Sequence, residues 1–488
     1  MSGARATDAG GSRVHDLVGI GIGPFNLGLA CLAEPLDLDA VFLDAAGGFR
    51  WHHGMMLEGA TIQVPFLADL VSMADPTSRF SFLNWLKQQG RLYPFYIRES
   101  FYPLRAEYDA YCRWASEQLM SLRWGRRVVA VEHEASDDCF VVRSELAGGG
   151  IETVRARHVV LGVGTEPKVP AALAGVADRL VHSAEYLHRR DELVSAPSIA
   201  IIGSGQSAAE IYRDLLEEID VHEYRLDWIT RSPRFFPMEY TKLTLEMTSP
   251  EYTEHFHGLP LSLREQLGRE QRGLYKGISG DLIDEIYDTL YRKSAARRVP
   301  TTLLTDTELL TARVGDSVSD AAAPDATGSD ASGADASGVA LRLRHNQLGE
   351  EYDWHAAKVV LATGYTPRVP AFLDPVGELV DRDALGRLDV ALDYSVDGGR
   401  RRIFVQNAEE HTHGLTAPDL GFGAWRNSNI LAAVLGSAPG EEPYPIERRI
   451  AFQEFGVPAA AGRGPVDAAV RPAGTRVPAR DLATETSR

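Results

Sequence analysis

Asp16-Leu-Val-Gly-Ile-Gly-Ile-Gly-Pro-Phe-Asn-Leu-Gly-Leu-Ala30 reads as a short apolar strand, a glycine turn and the first residues of a helix. Gly21 and Gly23 allow a tight turn and let a diphosphate approach backbone N–H groups, where the dipole of the following helix favours negative charge. Asn26 stands where the third glycine of the dinucleotide fingerprint would fall, so strand and helix must pack differently there. The strand Ala40-Val-Phe-Leu-Asp44 follows, and its terminal acid lies about 20 residues past the glycines, where a ribose hydroxyl pair needs an acceptor. Leu17 to Ala33 is apolar enough to suggest a secretory or membrane-spanning segment. Gly19, Gly21, Gly23, Pro24, Asn26 and Gly28 interrupt it and Asp16 precedes it, against what such segments require.

The same pattern returns at Ser198-Ile-Ala-Ile-Ile-Gly-Ser-Gly-Gln-Ser-Ala-Ala-Glu210, with a small Ala208 at the third fingerprint position. Its partner strand, Arg225-Leu-Asp-Trp-Ile-Thr-Arg231, ends on a base. An arginine there pairs with a 2'-phosphate that a carboxylate would repel, which points to NADPH as the second nucleotide. Two dinucleotide folds in one chain imply a bound cofactor and a second nucleotide that exchanges electrons with it.

The expected fold class is therefore α/β: two Rossmann-like dinucleotide-binding domains and a small, mostly helical substrate region. Residues 1–13 read as a disordered arm and 14–190 as the first part of the first domain. The second domain takes 191–314, with the substrate region at about 233–300. Residues 315–338, five aspartates among Ala, Ser and Gly with no base, read as a solvated loop. Val359-Val-Leu-Ala-Thr-Gly-Tyr365 is read as returning the chain to the first domain over 339–436, and 437–488 as a loosely held tail.

At 488 residues and 44% hydrophobic content the chain has the composition of a soluble multidomain protein. A formal charge of -18 argues against a general nucleic-acid binder, and no membrane association is expected. Cys31, Cys112 and Cys139 include no C-x-x-C pair, so neither a zinc site nor a dithiol reductase centre is expected, and a cytoplasmic location is the default. Trp51 and His52, beside Gly54, are candidates for the edge of a flat heteroaromatic ring.

Taken together, Gly21-Ile-Gly-Pro-Phe-Asn26, Trp51-His52 with Gly54-Met55, Phe66-Leu-Ala-Asp-Leu-Val-Ser72, Ala362-Thr-Gly-Tyr365 and Thr412-His-Gly414 resemble the flavin-dependent N-hydroxylating monooxygenases of siderophore biosynthesis. The resemblance runs from about Val14 to Leu435. It implies FAD on the first fold, NADPH on the second, and a primary aliphatic amine and O2 as substrates. NADPH reduces the flavin, O2 is activated on it, and a neutral amine takes one oxygen atom. Relatives commonly form dimers or tetramers, which is the oligomeric expectation here.

Carried over residue by residue, the resemblance implies FAD contacts at Gly21, Gly23, Pro24, Asn26, Asp44 and Val128. Further FAD contacts are implied at Trp51, His52, Thr363, Gly364 and Pro418, with Gln63 at the reacting end as the catalytic side chain. NADPH contacts fall on Gly203, Ser204, Gly205, Gln206, Ser207 and Arg231. Three positions depart from the amino-acid hydroxylases. Ala68 stands where a lysine commonly holds the substrate carboxylate, Gly421 replaces a serine, and Leu245 lies near the place of an asparagine.

Losing these anchors implies a substrate without an α-carboxylate. Phe66–Leu70, Tyr93–Arg98 and Lys242–Tyr252 look most like putrescine and cadaverine hydroxylases. Glu239 and Glu246 are the candidate partners of the distal ammonium. Lys242 and Lys276 could restore carboxylate binding, so L-lysine N6- or L-ornithine N5-hydroxylation stays open. A non-catalytic flavin redox sensor is the alternative of a different class.

Overall fold

A computed structural model describes residues 13–315, 338–447 and 449–458. The arm 1–12, the acidic run 316–337 and residues 459–488 lie outside the described residues.

The chain builds one sheet, leaves it, builds a second, and comes back. The opening turn joins β1 (Val14–Ile20) to the helix Pro24–Ala33, and β2 (Ala40–Asp44) lies parallel to β1. After a stretch of short helices come β3 (Leu122–Trp124) and the meander β4 (Arg126–Glu134), β5 (Cys139–Leu146) and β6 (Ile151–Leu161). The spatial order is β3-β2-β1-β6-β5-β4. Gly19 sits mid-strand because Phe42 covers it; a Cβ there would lie 2.1 Å from the ring.

The chain then crosses through β7 (Thr165–Pro167) to β8 (Leu180–His182), β9 (Ser198–Ile202), β10 (Arg225–Ile229) and β11 (Thr301–Leu304). β12 (Thr307–Val314), β13 (Val339–His345) and β14 (Glu351–Ala356) form a separate antiparallel sheet, and β15 (Lys358–Leu361) follows. The second sheet is parallel, in the order β11-β10-β9-β15-β8. One face packs on the helices Gln206–His222 and Gly280–Ser294 and the other on the antiparallel sheet β12–β14, so the central strands β9 and β15 are mostly apolar. β16 (Tyr365–Pro367) crosses back, and β17 (Ile403–Val405) completes the first sheet beside the end of β6.

Two expected boundaries shift. Val359–Leu361 does not return the chain to the first domain: β15 pairs with β9 and β8, so 339–361 belongs to the second domain and the return begins at β16. β8 likewise places the entry to the second domain before residue 191. In both cases a short apolar strand of three or four residues fits either sheet equally well, and only long-range pairing decides.

The tail is also better held than its composition suggests. Tyr444 donates to Leu32 O at 2.6 Å, Ser428 donates to Tyr444 O, and Glu251 accepts from Ile450 and Ala451 N–H. The expected helical region is present as Lys242–Leu245, Pro250–His257, Leu261–Glu270, Arg272–Tyr275 and Gly280–Ser294. Cys31, Cys112 and Cys139 are buried free thiols. Among the described residues no helix is long and apolar enough to cross a membrane.

Candidate active site

A cavity of about 390 Å³ opens at the carboxyl ends of the first sheet's strands, lined by Gly23, Pro24, Phe25, Trp51, His52 and Tyr365, among others. Open parallel sheets bind ligands at this end. Gly21 turns the chain at φ +87°, and a Cβ on it would lie 2.4 Å from Gly162 O. Gly23 differs: a Cβ there meets no protein atom within 4 Å, so its backbone faces free space at the start of the helix.

Asn26 is buried, and its side chain braces the turn from inside. Nδ2 donates to Gly21 O at 2.8 Å and Ile20 O at 3.3 Å, while Oδ1 accepts from Gln406 Nε2 at 2.6 Å. Every polar atom of the amide is thereby committed to protein. Asp44 uses Oδ2 for Ile22 N–H and Oδ1 for Ala46 N–H. Val128 lies on β4 at a bulge, packed against the first domain's core. Pro418 lies in the loop just before the helix Gly423–Leu435.

The wall bearing Trp51 and His52 is set by tight packing. A Cβ on Gly54 would stand 1.8 Å from Ala184 O, and Leu187 N–H donates to Gly54 O, so the turn is pressed directly onto the segment entering the second domain. His52 takes left-handed backbone angles and its ring lies near Trp51 and Tyr365. The ring opens to the cavity, yet the protein packed around it, with the Arg105 charge, pulls its pKa down to about 4; His52 is neutral at physiological pH. Gln63 has a buried Nε2 without a partner among the described residues, an amide donor left for a ligand. Thr363 and Gly364 occupy the returning crossover: Thr363 Oγ1 donates to Lys168 O, and Gly364 O accepts from Lys168 N–H.

The second turn repeats the first one's geometry. A Cβ on Gly203 would sit 2.3 Å from Ala362 O, as Gly21 sits against Gly162. Gly205, Gln206 and Ser207 open the helix Gln206–His222 after Ser204. Gln206 spends its amide inside the protein, Oε1 on Ser279 N–H and Nε2 on Glu210. Arg231 is exposed beyond β10.

The expected substrate positions separate into two groups. Ala68 and Gly421 come together: a Cβ on Gly421 would lie 3.5 Å from that of Ala68. Asp69, a buried carboxylate accepting from Val71, Ser72 and Phe82 N–H, fixes the loop on which Ala68 sits. The other charged candidates have partners of their own. Glu246 accepts from Gln453 N–H, and the backbone donors of Gln453 and Phe452 hold its pKa below the usual value; it anchors the tail. Glu239 is exposed and accepts from Thr241 N–H in a local turn, and Leu245 is 47% exposed. Lys276 places Nζ 2.7 and 2.9 Å from the Glu410 oxygens and its carbonyl against Gly205.

One carboxylate missed in the sequence lies beside Gly421, which also meets Ala68. Asp419 Oδ1 accepts from Gly421 N–H at 2.8 Å and lies 3.4 Å from the Gly421 Cβ position. No donor among the described residues reaches Oδ2. Burial raises its pKa, with Gly421 N–H and the Arg426 charge opposing. An acid two residues before Gly421, in the apolar run Ala417-Pro-Asp-Leu-Gly421, was the available signal.

Beneath this loop Arg426 and Glu409 form a fully buried ion pair at 3.2 Å. Arg426 also donates to Thr416 O and Ala417 O, and its guanidinium lies over Phe25 at 4.7 Å. R426M leaves Glu409 buried without its cation and is expected to cost about 3–5 kcal/mol of stability, seen as an earlier denaturation midpoint. R426M/E409M recovers part of that loss; no recovery would assign the loss to packing.

The family model described as L-lysine 6-monooxygenase/L-ornithine 5-monooxygenase matches residues 13–367. Putrescine N-hydroxylase of Shewanella oneidensis is 46% identical over 446 residues, 91% of this chain and 84% of that protein. The FAD-bound cadaverine monooxygenase of desferrioxamine biosynthesis from Erwinia amylovora superimposes with a TM-score of 0.85 at 46% identity, covering 92% of this chain and 100% of that one. The ornithine N-hydroxylase of Kutzneria sp. 744, solved with reduced FAD, NADP+ and L-ornithine, gives 0.76 at 27% identity over 87% of this chain and 99% of its own.

Proposed function

The chain belongs to the L-lysine 6-monooxygenase/L-ornithine 5-monooxygenase family, and from that premise we propose that it N-hydroxylates one amine of an aliphatic diamine, putrescine or cadaverine, for hydroxamate siderophore biosynthesis. The balanced reaction is RNH2 + O2 + NADPH + H+ → RNHOH + NADP+ + H2O. The observation that carries the diamine is the meeting of Ala68, Gly421 and Asp419. A methyl group and a hydrogen stand where an amino acid's carboxylate would need a cation and a hydroxyl, and the polar group present is an anion. An anion suits a distal ammonium and repels a carboxylate.

The residues fit the cofactors. The open approach at Gly23 and the orphaned Nε2 of Gln63 suit FAD, with its diphosphate at the helix start. The turn Gly203–Ser207 and the exposed Arg231 suit NADPH. Bound FAD supplies the two-electron chemistry that activates O2. The protein's own part is positioning. Trp51 and His52 wall the cavity, and a neutral His52 sets no positive charge against a cationic substrate. Gln63 offers an amide donor at the reacting end. Asp419 holds the far ammonium, so that the near amine, which must be unprotonated to use its lone pair, reaches inward.

Incubation with NADPH in air and assay of hydroxylamine from putrescine, cadaverine, L-lysine and L-ornithine tests the reading. Both diamines should outpace both amino acids; a preference for either amino acid overturns it. A68K brings an ammonium to the loop that meets Gly421, where it competes with the substrate for Asp419, and should lower diamine kcat/KM by about 10- to 100-fold, the equivalent of losing one charged hydrogen bond of roughly 1.5–3 kcal/mol. An unchanged kcat/KM would remove Ala68 from the site.

A further inference from the structure

The helix Arg105–Ser116 of the first domain and the helix Gln206–His222 of the second meet through one buried ion pair. Arg105 donates to Glu210 through both terminal nitrogens, at 2.9 and 2.7 Å, and the side chains are 12% and 7% exposed. The pair does not end there. Arg105 also donates to Met55 O, in the turn that carries His52 and Gly54. On the other side, Glu210 Oε1 also accepts from Gln206 Nε2, and Gln206 Oε1 accepts from Ser279 N–H. One hydrogen-bonded chain therefore runs from the head of the second nucleotide helix to the wall of the cavity on the first domain.

We infer that Arg105 and Glu210 are positioning residues that hold the second nucleotide turn in register with the Trp51–Met55 wall, so that a nicotinamide bound on one domain reaches the flavin on the other. The inference rests on the FAD and NADPH reading above. Three observations carry it. The pair is bidentate and shielded, so its geometry is fixed and solvent screens it little. It acts on the wall through the Met55 carbonyl and, by its charge, on His52. It also joins elements of two domains that the backbone connects only at β7 and β16, so the relative placement of the domains depends on side-chain contacts of this kind. Loss of either partner leaves a charge buried alone, a penalty that domain separation relieves by admitting water.

The test uses the FAD-loaded enzyme without amine. E210Q keeps the shape of the side chain and removes its charge. Amide exchange over residues 53–57 and 183–187 should speed up at least about 10-fold, and flavin reduction by saturating NADPH under anaerobic conditions should slow by at least about 10-fold, as a lost buried charge pair implies. The NADPH concentration for half-maximal rate should move by less than about 3-fold, and reduction by dithionite, which needs no second domain, should be unchanged. R105K retains a charge without the two-nitrogen fork and should recover part of both effects; if E210Q does not accumulate, the same two measurements on R105K decide. Unaltered exchange and unaltered NADPH reduction overturn the proposal. The diamine reading fails separately, if the wild-type enzyme oxidises NADPH and forms no hydroxylamine from either diamine.

Discussion

Alanine at Gly23 is expected to give a folded protein that purifies nearly colourless. The added methyl meets no protein atom within 4 Å, so nothing in the fold resists it. It instead occupies the space through which a diphosphate must approach the start of the helix. Overpacking of such a contact costs roughly 1–3 kcal/mol, about a 5- to 150-fold weakening of FAD binding. Flavin absorbance per protein and the unfolding midpoint together check it: the first should fall and the second should match that of the apoenzyme. Gly21→Ala is the contrast. Its Cβ would lie 2.4 Å from Gly162 O in a backbone of φ +87°, so flavin and stability should be lost together, the left-handed conformation alone costing about 1–2 kcal/mol. Full flavin in purified G23A would place the diphosphate elsewhere.

Asp419→Asn should raise the KM for putrescine and cadaverine by about 10- to 100-fold, because a charge-assisted hydrogen bond is worth roughly 1.5–3 kcal/mol. The amide keeps the shape and Oδ1, so Gly421 N–H stays satisfied. NADPH oxidation should continue, with more of the oxygen consumed released as hydrogen peroxide, since the amine that takes up the oxygen atom is poorly held. A pH signature accompanies it. Burial raises the Asp419 pKa, so in the wild type the carboxylate loses its charge as pH falls through that raised value, and the diamine KM should climb in that range. D419N should lack the climb. An unchanged KM in D419N would leave the distal ammonium without its partner and withdraw the assignment.

Much of this architecture was legible because both nucleotide turns are local. Strand, glycines and helix lie within fifteen residues, and the requirement for backbone without side chains leaves a mark in the sequence. Asn26 shows where that legibility stops. Its place in the fingerprint was plain, but its work inside the turn depends on Gln406, far along the chain. β15 is similar: an apolar strand before a glycine names no partner, and its place beside β9 is decided by the whole second sheet. The substrate candidates divided for the same reason. Ala68 and Gly421 were identified as departures from a pattern and do face each other. Glu239 and Glu246 were chosen by charge, and charge alone does not name a carboxylate's partners: Glu246 accepts from Gln453 N–H and Glu239 from Thr241 N–H. Asp419 carried a local signal, an acid two residues before Gly421, but its meaning depends on the distant loop of Ala68 lying against Gly421.

The crossing strands β7 and β16 pair antiparallel, Tyr365 opposite Pro167 and Pro367 opposite Thr165. Everything between them is thus an excursion that leaves and re-enters the first domain at neighbouring points, about 5 Å apart as paired strands are. In design terms the second nucleotide fold is a cassette that the backbone joins at two neighbouring points and side-chain contacts such as Arg105–Glu210 hold in place. Its pocket can change its nucleotide preference, at Arg231 for instance, with no alteration to the order of strands that cradles the flavin half. The fold keeps the choice of reductant, at Arg231, and the choice of amine, at Ala68, Asp419 and Gly421, on separate stretches of chain.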